Sequence, residues 1–125
     1  MCSILIELKA KQLSLLVDDQ KDLNTDVICR NIDSAMSILW FAQGFITELY
    51  IDHNMGERLS GYDLIVWAIE RELIPDFVQI VTENPVGRKS IAIALRRAGF
   101  ENRNLDKVTF IRGTNEFQQA RRNRS

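Results

Sequence analysis

The sequence predicts an α/β domain with a mainly parallel, five-stranded sheet, helices on both faces, and a first crossover helix that is missing or reduced. Three observations carry that expectation. Short β-rich runs alternate along the chain with longer stretches of helical period. Several of those runs are apolar on both faces, as strands covered from both sides are. The helical stretches begin behind residues that cap helices well.

The strands are expected at Leu13 to Val17 (LSLLV), Val27 to Arg30 (VICR), Glu48 to Ile51, Phe77 to Thr82 (FVQIVT) and Lys107 to Ile111 (KVTFI). Ser3 to Leu8 is a candidate extra edge strand. The first helix expected is Ser34 to Ala42, behind Asp33 or Ser34. The second, Tyr62 to Glu72, places Leu64, Trp67 and Ala68 on one stripe with Ile65 and Ile69 beside it. The third, Pro85 to Arg97, starts behind Asn84, with proline at its first position and Gly99 just past its end. A short helix at Glu116 to Arg122 closes the chain. Between Asp19 and Asp26 there are only about seven residues, too few for the dozen or more of a helical crossover. Extended, they still reach about 23 Å, so this return is expected to be a loop. Trp40, Phe41 and Phe45 cluster near a helix end and are assigned to the core, with a partner-binding patch as the alternative.

At 125 residues and 46% hydrophobic, the whole chain, 1–125, is expected to form one domain with a sizeable core. Residues 118–125 make a basic tail. A formal net charge of −1 argues against general nucleic-acid binding. The local pairs Arg88-Lys89 and Arg96-Arg97 read as solvated faces ahead of phosphate contacts. Two cysteines, Cys2 and Cys29, and one histidine build neither a disulfide framework nor a zinc set, which points to a reducing cytoplasm. The start MCSILIELKAKQ has the wrong charge pattern for a signal peptide. No run approaches the roughly 18 apolar residues of a membrane span.

In an open parallel sheet, ligands bind outside the carboxyl ends of the strands, where the strand order reverses. Strand one ends in Asp18-Asp19, strand three in Asp52-His53, and strand four in Thr82-Glu83-Asn84. In a flavodoxin-like order 2-1-3-4-5 these strands are neighbours, so the polar ends share one crevice. Three carboxylates so placed repel one another unless a cation sits among them. Oxygen ligands alone suit Mg²⁺, with Asp18, Asp19 and Asp52 as its ligands. The plainer alternative is that the three aspartates only terminate strands. His53 is a candidate general acid or base, or else a loop hydrogen-bonder. Asp52 is a metal ligand or a nucleophile for a phosphoryl group. Asn84-Pro85-Val86-Gly87 opens a helix whose free amides suit an anion, with Gly87 permitting close approach and Arg88 following as a clamp. An ordinary capped helix explains Asn84 and Pro85 equally well but leaves Gly87 unexplained.

LLVDDQ together with LYIDHNMGERLSGYDL resembles the receiver domains of two-component response regulators, over about residues 12 to 117. In that likeness Asp18 and Asp19 are the acidic pair, Asp52 the phosphoacceptor, and Thr82 the hydroxyl residue closing strand four. Met55 follows at the usual distance and Gly61 one residue late. Receivers carry a lysine after strand five, where this chain reads Arg112-Gly113. A narrower group, the cyclic-phosphate processing receiver-like domains, is more similar. Its pattern is an acidic pair, an Asp-His-Asp-hydrophobic-Gly loop, and a His-Ser-x-Asn-Pro-x-Gly turn into a helix. The matching stretches here are DHNMG (Asp52 to Gly56) and VTENPVG (Val81 to Gly87). The resemblance implies Mg²⁺-assisted phosphate-ester chemistry on cyclic phosphates of RNA ends or nucleotides, with His53, Asp52 and Thr82 as the catalytic group. Two positions depart: Asn54 replaces the second aspartate and Val81 the second histidine. The expectation is therefore a phosphohydrolase acting on a phosphorylated small molecule or an RNA 3′ end. Its alternatives are a phosphoacceptor signalling module on Asp52 and a binder of nucleotides or proteins without turnover. A protein partner or a homodimer is compatible with each.

Overall fold

The computed structural model describes residues 12–102 and 108–113. In chain order it contains β1 (Leu13–Val17), β2 (Val27–Cys29), α1 (Ile32–Phe41), β3 (Ile46–Ile51), α2 (Gly61–Glu70), β4 (Phe77–Ile80), α3 (Pro85–Arg97), β5 (Phe100–Glu101) and β6 (Thr109–Arg112). The sheet order is β2-β1-β3-β4-β6-β5. The first four of these strands pair in parallel and carry the 2-1-3-4 order expected of a flavodoxin-like, receiver-like α/β fold. No helix lies between β1 and β2, as the short connection requires. The candidate strand at Ser3 to Leu8, the helix at Glu116 to Arg122 and the basic tail lie outside the described residues.

The helix starts follow their caps. α1 begins two residues before the expected Ser34, because Asn31 is the cap and accepts the Ser34 amide at 2.8 Å. Asp33 then falls in the first turn, where a negative charge suits the helix dipole. At α2 the Ser60 Oγ accepts the Asp63 amide and the Asp63 carboxylate accepts the Ser60 amide, a reciprocal box that fixes the start at Gly61. α3 has the expected bounds. The first and second helices touch, as do the second and third, and all three contribute buried residues to one core layer on the sheet. There Leu15, Leu49 and Val78 meet Leu39, Leu64 and Leu95, all buried. Each such side chain contributes about 1.5–3 kcal/mol. The free thiol of Cys29 is buried in the same layer, and burial pushes it above its ordinary range. Trp40 and Phe41 do not join this core as expected: they are 52% and 83% exposed at the outer end of α1, and Phe45 is half-buried. The helical stripe that faces the sheet runs through Ile32, Ala35 and Leu39, which turns the next two residues outward.

The far edge differs from expectation. Among the described residues six strands are present instead of five, and the last does not run parallel. After α3 the chain returns parallel to β4 as the two-residue β5, one place away, and β6 fills the gap antiparallel to both. The direction has a consequence for chemistry. The carboxyl end of β6 lies at the end of the sheet opposite Asp18 and Asp52, so Arg112 and Gly113 do not reach the crevice. Arg112 instead holds Asp76 at 2.6 Å and the Ile74 carbonyl at 2.7 Å, at the amino end of β4.

Candidate functional site

The parallel ladder delivers the acidic residues side by side. Val17 is in register with Ile51, and Ile51 with Ile80. The ladder continues one step past the strands: the Asp18 amide bonds the Cys29 carbonyl, the Asp52 amide the Val17 carbonyl, and the Val81 amide the Ile51 carbonyl. Side chains from the next residues therefore converge. Asp18, Asp19 and Asp52 each offer a carboxylate oxygen, and the three oxygens lie within 4.8 Å of one another.

Asp18 is 1% exposed, and its two oxygens differ. Oδ1 accepts the amides of Gln20 and Lys21, both at 2.9 Å, and so shapes the loop in the absence of a helix. Oδ2 is buried with no hydrogen-bond partner among the described residues. A buried carboxylate with an unpaired oxygen, in a cluster with two more carboxylates, is unfavourable by itself. An all-oxygen set of this kind fits a hard divalent cation such as Mg²⁺. The neighbouring cations are otherwise engaged. Arg30 donates to the carbonyls of Asp18 (3.2 Å) and Lys21 (2.6 Å) and pairs with Asp22. Lys21 reaches from the loop after β1 to Glu83 after β4, at 3.6 Å.

His53 stands beside the cluster. Its amide donates to Asp52 Oδ1 at 2.8 Å and its carbonyl accepts the Gly61 amide at 2.9 Å. Its ring nitrogen Nδ1 is buried without a partner among the described residues. A cavity of about 350 Å³ opens here, lined by His53, Asn54, Met55, Gly56, Glu57, Leu59 and Ser60. Thr82 is buried, and its Oγ1 accepts the Asn84 amide at 3.2 Å. Asn84 caps α3: its Oδ1 accepts the amides of Val86 (3.0 Å) and Gly87 (3.3 Å), and its carbonyl accepts that of Arg88 (2.9 Å). These amides are thus already used by the cap, unlike the free set the sequence suggested. The Arg88 side chain is half-buried and makes no ion pair among the described residues.

Three residues that shape the site were not singled out from the sequence for these roles. Arg30 takes over the ordering work of the absent first helix, and its signal was a basic residue closing the strand that comes after too short a return. Glu57 accepts the Ile32 amide at 3.2 Å, tying the loop after β3 to the start of α1. At Gly61, a Cβ would lie 1.9 Å from the Asp52 carbonyl oxygen, so α2 can start against β3 only with glycine there.

A family model described as the cyclic-phosphate processing receiver domain matches residues 13–97, from β1 to the end of α3, a span that includes every residue of this crevice. No curated protein and no solved structure matches the chain.

Proposed function

We propose, for a chain that belongs to the cyclic-phosphate processing receiver-domain family, that the acidic crevice binds Mg²⁺ and processes a cyclic phosphate ester at an RNA 3′ end or on a nucleotide. Two observations carry this reading together: Asp18, Asp19 and Asp52 bring carboxylate oxygens within 4.8 Å of one another, and Asp18 Oδ2 is buried without a hydrogen-bond partner among the described residues. Asp18, Asp19 and Asp52 are the ligands, and the ion supplies positive charge to the phosphate oxygens when bound. His53, the one histidine of the chain, is the proton-transfer group. It accepts the proton of the attacking water as the new P–O bond forms. It returns a proton to the sugar oxygen as the ring P–O bond breaks, leaving a phosphomonoester. Thr82 orients the phosphate, and Arg88 faces its outer oxygens. No helix among the described residues is long and apolar enough to cross a membrane. The buried free Cys29 suits a reducing, cytoplasmic setting.

A second reading, binding without turnover, is favoured by Asn54 and Val81 at the two departing motif positions. Phosphoacceptor signalling has less support, because Arg112 is held by Asp76 away from the crevice. Phosphorus NMR of the protein with Mg²⁺ and a short RNA ending in a 2′,3′-cyclic phosphate separates the readings. Conversion to a monoester, lost in His53→Ala, is the expected result. A signal that shifts without converting supports binding alone, and an unchanged signal removes this ligand class.

A further inference from the structure

The Asp52-His53 dipeptide lies between the starts of two helices, and each start presents a glycine to it. At α2, Gly61 fixes the backbone: its amide donates to the His53 carbonyl, and its missing side chain makes room for the Asp52 carbonyl. At α3, a Cβ on Gly87 would lie 2.3 Å from both Cγ and Cδ2 of the His53 ring and 2.8 Å from its Cβ. A methyl group cannot occupy that space. The imidazole rests on the backbone of the first turn of α3 through Cγ and Cδ2, and its Nδ1 is buried without a partner among the described residues. The Asn84 cap consumes the amides of this turn, so the turn offers the crevice a rigid surface more than a set of anion donors.

We infer that Gly87 is the positioning residue for His53: its lack of a side chain seats the imidazole and decides which ring edge faces inward. The contact holds whatever the ligand is, and its bearing on turnover rests on the role given to His53 above. It also accounts for a glycine in the first turn of a helix, where alanine would otherwise be favoured.

The experiment is a double-mutant cycle of Gly87→Ala with His53→Ala, read by thermal melting and by proton NMR of the imidazole. The chain has one histidine, so its Hδ2 and Hε1 signals are unambiguous. Gly87→Ala is expected to lower the melting temperature and move both signals. In the His53→Ala background the same change costs clearly less, since the two 2.3 Å ring contacts are gone and only the 2.8 Å approach to the retained Cβ of residue 53 remains. In the cyclic-phosphate assay Gly87→Ala lowers turnover at least tenfold while Mg²⁺ affinity stays within twofold of wild type. Unmoved imidazole signals overturn the inference, as does an equal loss of melting temperature in both backgrounds. Should Gly87→Ala fail to fold alone, recovery of folding in the double variant is the supporting outcome and its absence the contrary one. A wild-type protein without turnover removes the catalytic reading of the site, while the ring signals and the cycle still decide whether Gly87 seats His53.

Discussion

The two ends of the sheet treat charge in opposite ways. At the amino end of β4, a groove of about 1000 Å³ is the larger opening, and it contains the Arg112–Asp76 ion pair. Arg112 is held by Asp76 and the Ile74 carbonyl, and its guanidinium lies 5.0 Å from the Phe100 ring centre. At the carboxyl ends of β1 and β3 the opening is about 350 Å³, and three carboxylates crowd together. The nearby cations serve loop shape there, Arg30 on two carbonyls and Lys21 on Glu83. Size and chemistry part company. In the larger groove Arg112 already has its counter-ion, whereas a buried carboxylate oxygen without a partner has an energetic deficit that a cation would relieve.

If the acidic end is built around close approach and uncompensated charge, substitutions there should have effects that the far end does not share. The largest concerns Gly61. Gly61→Ala drives a methyl into the Asp52 carbonyl, a backbone atom that cannot swing aside, and should cost more than about 3 kcal/mol in denaturant unfolding. An unchanged midpoint would mean that α2 can shift away from β3. Next is Asp52→Asn, which keeps an acceptor for the His53 amide and removes one of three repelling charges. In metal-free buffer it should raise stability by roughly 1 kcal/mol, the scale of like charges a few ångströms apart at a partly exposed site. A loss of stability would show that the carboxylates are not in conflict. Arg30→Ala releases the carbonyls of Asp18 and Lys21 and should weaken Mg²⁺ binding about tenfold by calorimetry, at the scale of hydrogen bonds to a charged group. The smallest effect belongs to the far end. Arg112→Ala should cost about 1 kcal/mol in melting experiments and leave Mg²⁺ affinity where it was. Coupling between Arg112 and the metal would erase the contrast between the two ends.

Most of the frame was legible in the sequence, because strand ends and helix starts are marked locally. Asp18, Asp52 and Thr82 each close or follow an apolar run, and Asn84-Pro85 announces α3 by composition alone. The absent first helix followed from a simple length argument. The direction of β6 was not legible. A run such as KVTFI has the same period whichever way it pairs, and the two-residue β5 is too short to leave a pattern. Trp40 and Phe41 misled because an apolar run that continues two residues past the buried stripe looks the same in sequence. The glycines were visible as oddities, yet what each makes room for depends on long-range contacts, Gly61 with Asp52 and Gly87 with His53.

The most direct test of the acidic end is the melting temperature of the metal-free protein as Mg²⁺ is added, with Asp18→Asn beside the wild type. The substitution keeps an acceptor for the Gln20 and Lys21 amides and removes only the charge and the second oxygen. The wild type should rise in melting temperature with Mg²⁺ as a ligand of the native state requires, and Asp18→Asn should not. A wild type indifferent to Mg²⁺, or two proteins that rise together, would contradict the account.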